Sequence, residues 1–142
     1  MDSDGLFVYG TLREGGPHHG WLQRTHPEGL TRAWAPGRLF HLPEGVPALV
    51  PGPEPPALPP GPGWVVGDFV GYEDPVELEA ALADLDALEG VEEDRFIRVL
   101  LPVVLQGGHR YTAWAHVFHV ERLPRLERLA TELSDGDWGP YL

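Results

Sequence analysis

Apolar and polar residues change their spacing repeatedly along this chain, and the spacing predicts mostly strands. Leu6-Phe7-Val8-Tyr9 is a β-branched and aromatic run that stops at Gly10, a strand ending in a turn. From Thr31 to Leu42, Ala33, Ala35, Gly37 and Leu39 alternate with Arg32, Trp34, Arg38 and Phe40. Pro36 interrupts that alternation and predicts an edge position or a bulge. Val46 to Val50 is a further short piece, and Trp64 to Tyr72 and Phe96 to Leu105 are extended runs. Arg110 to Val120 alternates over its whole length, which predicts a long, mostly buried antiparallel strand entered through a Gly107-Gly108 hairpin. Helical spacing marks Pro75 to Gly90, with shorter helices expected over His18–Arg24 and Leu123–Leu133 and an irregular tail from Ser134 to Leu142. Strands outnumber helices and do not alternate with them as βαβ units. The expected class is therefore α+β, a small curled sheet or barrel with helices outside.

Between two of these strands, Pro51 to Gly63 is almost entirely proline and glycine. Such a segment lacks the N–H donors of helix or sheet and reads as a rigid surface connection, with a flap or a ligand for a proline-reading module as alternatives. It does not split the chain. The 142 residues are read as one domain, 1–142. A net charge of −12 argues against nucleic acid and anionic membrane as partners. No apolar stretch approaches the ~18 residues of a membrane span, and the acidic start is unlike a secretory leader. With no cysteine in the chain, the expected location is cytoplasmic.

Glu89 is the candidate that spacing singles out. Leu78, Leu82 and Leu85 form one apolar stripe, and the next position on it is Glu89. A carboxyl there would lose hydration and would lie in the last helical turn, where the macrodipole disfavours negative charge; both raise its pKa. Two readings remain open at this point: a proton-exchanging group, or a frayed turn whose Glu swings into water. The rivals are poor. His18 and His19 diverge, and His116 and His119 fall on opposite faces of a strand, so no metal is expected. Asp135-Gly136-Asp137 lacks the remainder of a calcium loop and reads as a turn. The serines, Ser3 and Ser134, are in no nucleophile elbow. Asp68 is the best second carboxylate, but its strand position reads more simply as outward-facing. The turn Gly10-Thr11-Leu12 could present successive backbone N–H groups to a carboxylate.

Several segments together resemble the gamma-glutamylcyclotransferase family, including its AIG2-like and gamma-glutamylamine members. Val8-Tyr9-Gly10-Thr11-Leu12-Arg13 resembles its opening motif, and Leu85-Asp86-Ala87-Leu88-Glu89-Gly90 the segment with its catalytic glutamate. Gly37-Arg38-Leu39-Phe40, Pro47-Ala48-Leu49-Val50, Val66-Gly67-Asp68-Phe69-Val70 and Gly136-Asp137-Trp138 are similar to further family segments in the same order. The resemblance implies a small mixed, mainly antiparallel β-barrel with flanking helices. It implies a cofactor-independent, metal-free enzyme in which the α-amine of a γ-glutamyl substrate attacks its own γ-carbonyl. The products are 5-oxoproline and an amine or amino acid. Glu89 would be the general acid/base, Gly10, Thr11 and Leu12 would grip the substrate, and Tyr9 would shape the pocket. Two departures accompany it: Phe96-Ile97-Arg98 where members commonly carry a Tyr, and Asp68 where Glu is usual. A noncatalytic small-molecule-binding domain of the same fold is the alternative. Leaving group and oligomeric state are not readable from the sequence.

Overall fold

The computed structural model describes residues 5–10, 29–43, 47–89, 97–118 and 123–139; the side chains of 84–89, 123 and 126 lie outside that description. The elements are β1 (Gly5–Val8), β2 (Gly29–His41), β3 (Pro47–Pro51), β4 (Trp64–Gly71), α1 (Pro75–Glu89), β5 (Ile97–Leu105), β6 (Arg110–Val117), α2 (Leu123–Leu129) and β7 (Thr131–Glu132). The helix expected over His18–Arg24 lies outside the described residues.

Pairing closes a barrel. The order β2-β4-β1-β6-β5 returns to β2 through Ala33↔Leu105 and Trp34↔Val104. Every seam is antiparallel except β1 with β6, which run parallel, so the barrel is mixed and mainly antiparallel. Closure removes the open edges that a five-stranded sheet would expose. Alternation then sorts the residues. Phe7, Ala33, Ala35, Val65, Phe69, Leu101, Val103, Ala113, Ala115 and Val117 fill the inside. Leu6, Val8 and Val70 face outward and are covered by Leu78, Ala81 and Leu82 of α1. The alanines of β2 and β6 leave room for the rings of Phe7 and Phe69 across the same interior.

α1 starts where the sequence places it. Asp74 is its N-cap, accepting from the Val76 N–H at 2.9 Å, and Pro75 takes the first helical position, where no donor is needed. No helix among the described residues is long and apolar enough to cross a membrane.

Three expectations change, and the irregular tail proves to be held in place. Pro36 is neither on an edge nor in a simple bulge. β2 pairs with β4 as far as Pro36↔Trp64 and with β3 from Gly37↔Pro51, so Pro36-Gly37 is where the strand passes from the barrel to an outer ladder. A side chain at Gly37 would meet the Val50 carbonyl at 2.5 Å, which explains the glycine. The last helix stops at Leu129 rather than Leu133, because Thr131 and Glu132 pair with His41 and Phe40 of β2. β6 ends at Val117, and Phe118 instead donates its N–H to the Leu49 carbonyl at 2.9 Å. Finally, the tail is anchored. Leu133 N–H bonds Leu39 O, Gly136 O accepts from Val66 N–H, and Trp138 lies in the core at 3 % exposure. Asp135-Gly136-Asp137 is a turn as expected, with Asp135 and Asp137 carboxylates each accepting from an N–H two residues on.

Candidate active site

β1 delivers Tyr9 and Gly10 to one mouth of the barrel. Tyr9 follows the inward parity of Phe7 and is buried beside it, the two rings 6.2 Å apart. Its hydroxyl donates to the His116 carbonyl at 2.6 Å and accepts from the Leu49 N–H at 3.2 Å. Tyr9 thus ties β1 to β6 and β3, and its oxygen serves the scaffold directly. Sequence spacing gave no sign of these partners, which are 107 and 40 residues away. Gly10 packs so closely on Pro47 that a Cβ would stand 2.5 Å from the proline ring. Its missing side chain is therefore required by the fold at this corner, whatever it also allows a ligand. Thr11 and Leu12 lie outside the described residues, as does Phe96.

α1 follows β4 after only three residues and packs back over β4 and β1. It therefore runs antiparallel to β4, and β1 is also antiparallel to β4. The described helix closes at Glu89. No basic residue occupies its last turn to offset the carbonyl dipole there.

Asp68 is outward-facing, as its strand position suggests, yet it is buried. It does take the outer face, opposite Val8 and Arg32 in register, but it is only 4 % exposed. Arg32 Nε stands 3.7 Å from its Oδ1, an ion pair whose arginine side is half-exposed. Val8 carries Asp68 to the Gly10 side of the barrel, so a buried carboxylate sits two residues along β1 from the candidate turn. His116 is buried on β6, and its backbone carbonyl is what Tyr9 engages. Trp138, a second residue that spacing missed, donates Nε1–H to His41 Nδ1 at 3.1 Å. A large aromatic inside a supposedly irregular tail was the signal that it belonged to the core.

The barrel with its extra strands is shared with solved structures of several origins. YkqA from Bacillus subtilis superposes with a TM-score of 0.61 at 22 % identity, covering 97 % of this chain; the chain spans 40 % of YkqA. A mouse AIG2-like protein matches at TM-score 0.55 and 22 % identity, over 83 % of this chain and 80 % of that one. Kluyveromyces lactis allophanate hydrolase carries the same fold in 21 % of its length, at TM-score 0.60, 15 % identity and 99 % coverage of this chain. At these identities the likeness is one of fold. The molecule is a gamma-glutamylcyclotransferase-type barrel. No curated protein matches the sequence significantly. The profile described as gamma-glutamyl cyclotransferase, AIG2-like, matches residues 6–140, and the chain belongs to that family.

Proposed function

We propose that the protein is a gamma-glutamyl cyclotransferase acting on a small γ-glutamyl compound. What supports the reading is the family match over residues 6–140. That match takes in both the Tyr9-Gly10 segment that follows β1 and Glu89, the last residue of α1. The mouse relative that shares the fold is described as AIG2-like.

In the proposed reaction the substrate's α-nitrogen forms a bond to its own γ-carbon, and the bond from that carbon to the departing nitrogen breaks. The attacking ammonium must lose one proton before the bond forms and a second as the ring nitrogen becomes neutral, while the departing nitrogen takes up two and leaves as an ammonium. Glu89 takes each proton from the attacking nitrogen and passes it to the leaving one, so its own charge is restored each cycle. Ring closure within one molecule makes conformational restraint a large part of the catalysis. Backbone N–H groups at Gly10, Thr11 and Leu12 would hold the α-carboxylate, a means of binding an anion on a chain of net charge −12. Tyr9, clamped by Leu49 and His116, would form a fixed wall. No step needs a metal or a cofactor.

The test is 5-oxoproline release from a panel of γ-glutamyl amino acids and γ-glutamyl amines. Glu89→Gln should lower turnover by about 10²- to 10⁴-fold with an unchanged circular dichroism spectrum. Equal product release by wild type and variant would defeat the mechanism. Binding of a γ-glutamyl compound without turnover in the wild type would show a binding domain instead.

A further inference from the structure

The opposite mouth of the barrel holds a cavity of about 350 Å³, lined by Gly29, Thr31, Phe69, Gly71, Leu105 and Tyr111, with Tyr72 and Glu73 at its edge. Its origin is legible in the strand register. Gly29 of β2 and Gly5 of β1 both pair with Gly71 of β4, so three adjacent strands end abreast in glycine. Gly29 and Gly71 share the inward parity of Ala33 and Phe69. The terminal layer of the barrel is thus short of side chains on that side. Phe69 and Tyr111 remain there, stacked with ring centroids 5.4 Å apart.

We propose that this second mouth binds a small organic cation with an apolar body, such as a primary ammonium on a short aromatic or aliphatic frame. The inference goes beyond the cyclotransferase reading and does not depend on it. Glu73 is the one charged side chain among the lining residues, and it has no salt bridge among the described residues. The rings of Phe69, Tyr72 and Tyr111 offer electron-rich faces to a cation, while Leu105 and Phe69 accept its apolar part. Among the described residues an anion finds no charged donor here. The neighbouring helix start is already capped by its own Asp74, and no arginine or histidine lines the cavity among the described residues. The volume falls at the small end of ligand pockets, which suits a compact amine. The net charge of −12 also draws cations toward the molecule.

Isothermal titration of the whole chain with benzylammonium, benzyl alcohol and benzoate tests the site. Benzylammonium should bind one to one, at least about fivefold more tightly than benzyl alcohol, with benzoate silent. Glu73→Gln should remove the preference for the ammonium but keep benzyl alcohol binding. Gly29→Leu should block benzylammonium and benzyl alcohol alike, and the backbone there has room for the new side chain to start, since a Cβ at Gly29 meets nothing within 4 Å. The proposal is overturned if benzylammonium fails to bind, if benzoate competes equally, if Glu73→Gln leaves the preference intact, or if binding survives in Gly29→Leu.

Discussion

Tyr9→Phe isolates two hydrogen bonds at a position where shape is otherwise preserved. The ring stays against Phe7, so no cavity larger than a hydroxyl opens. What disappears is the donor to His116 O and the acceptor for Leu49 N–H, in a residue only 7 % exposed. A buried backbone group left without a partner costs about 1–3 kcal/mol, and here one N–H and one carbonyl each lose one. Allowing the carbonyl to keep part of its satisfaction gives a loss of about 2–3 kcal/mol. For a chain of this size that lowers Tm by roughly 6–12 °C. Urea unfolding followed by circular dichroism should show a lower midpoint and an unchanged slope, because the surface exposed on unfolding is the same. Tyr111→Phe is the matched control: Tyr111 is 41 % exposed, and its variant should stay within about 0.5 kcal/mol of wild type. If Tyr9→Phe melts within about 1 °C of wild type, the hydroxyl is not a clamp and the rigid wall assigned to it fails.

Other positions give sharp outcomes. Gly136→Ala should destabilise by at least about 3 kcal/mol in the same assay, since its φ is +67° and a Cβ would stand 2.1 Å from the Trp64 carbonyl; a melt like that of wild type would refute the close approach. Arg38 holds Glu132 through two hydrogen bonds of 2.9 and 2.7 Å, and these lower the Glu132 pKa from its ordinary 4.5. The pair's contribution is therefore present above that ordinary value and disappears as pH falls through the lower folded value. Both partners are more than a third exposed, so Glu132→Gln should cost less than about 1 kcal/mol at pH 7, and the gap should close in acid. A gap that widened in acid would reverse the sign of the coupling.

Local chemistry made α1 readable: Pro75 and the leucine stripe are near neighbours in sequence, and the helix runs Pro75–Glu89 against the Pro75–Gly90 that spacing suggests. The Gly107-Gly108 hairpin was equally local, with both glycines at positive φ. The failures share a cause that lies far away in the chain. Leu123 to Leu133 keeps helical spacing, yet Thr131 and Glu132 are taken by the free side of β2. Asp68 faces outward as read, but nothing in its own strand announces that the barrel's outer face is covered there. At the candidate site, the motif showed which residues to examine, but the Tyr9 clamp and the Gly10–Pro47 contact needed the third dimension. The second mouth was hidden for the same reason: Gly5, Gly29 and Gly71 are unremarkable until the register sets them side by side.

β2 pairs with β3, β4, β5 and β7, strands whose residues extend from Pro47 to Glu132. During synthesis it is complete early but can finish its pairing only when nearly the whole chain has emerged. β1 waits too, because its parallel neighbour β6 lies more than a hundred residues away. Few stable half-structures are available to such a topology, and loop closure must be achieved before the long-range pairs reward it. The barrel should therefore fold as one slow, late event, and until Trp138 docks, an unfinished chain exposes a long apolar strand to its neighbours.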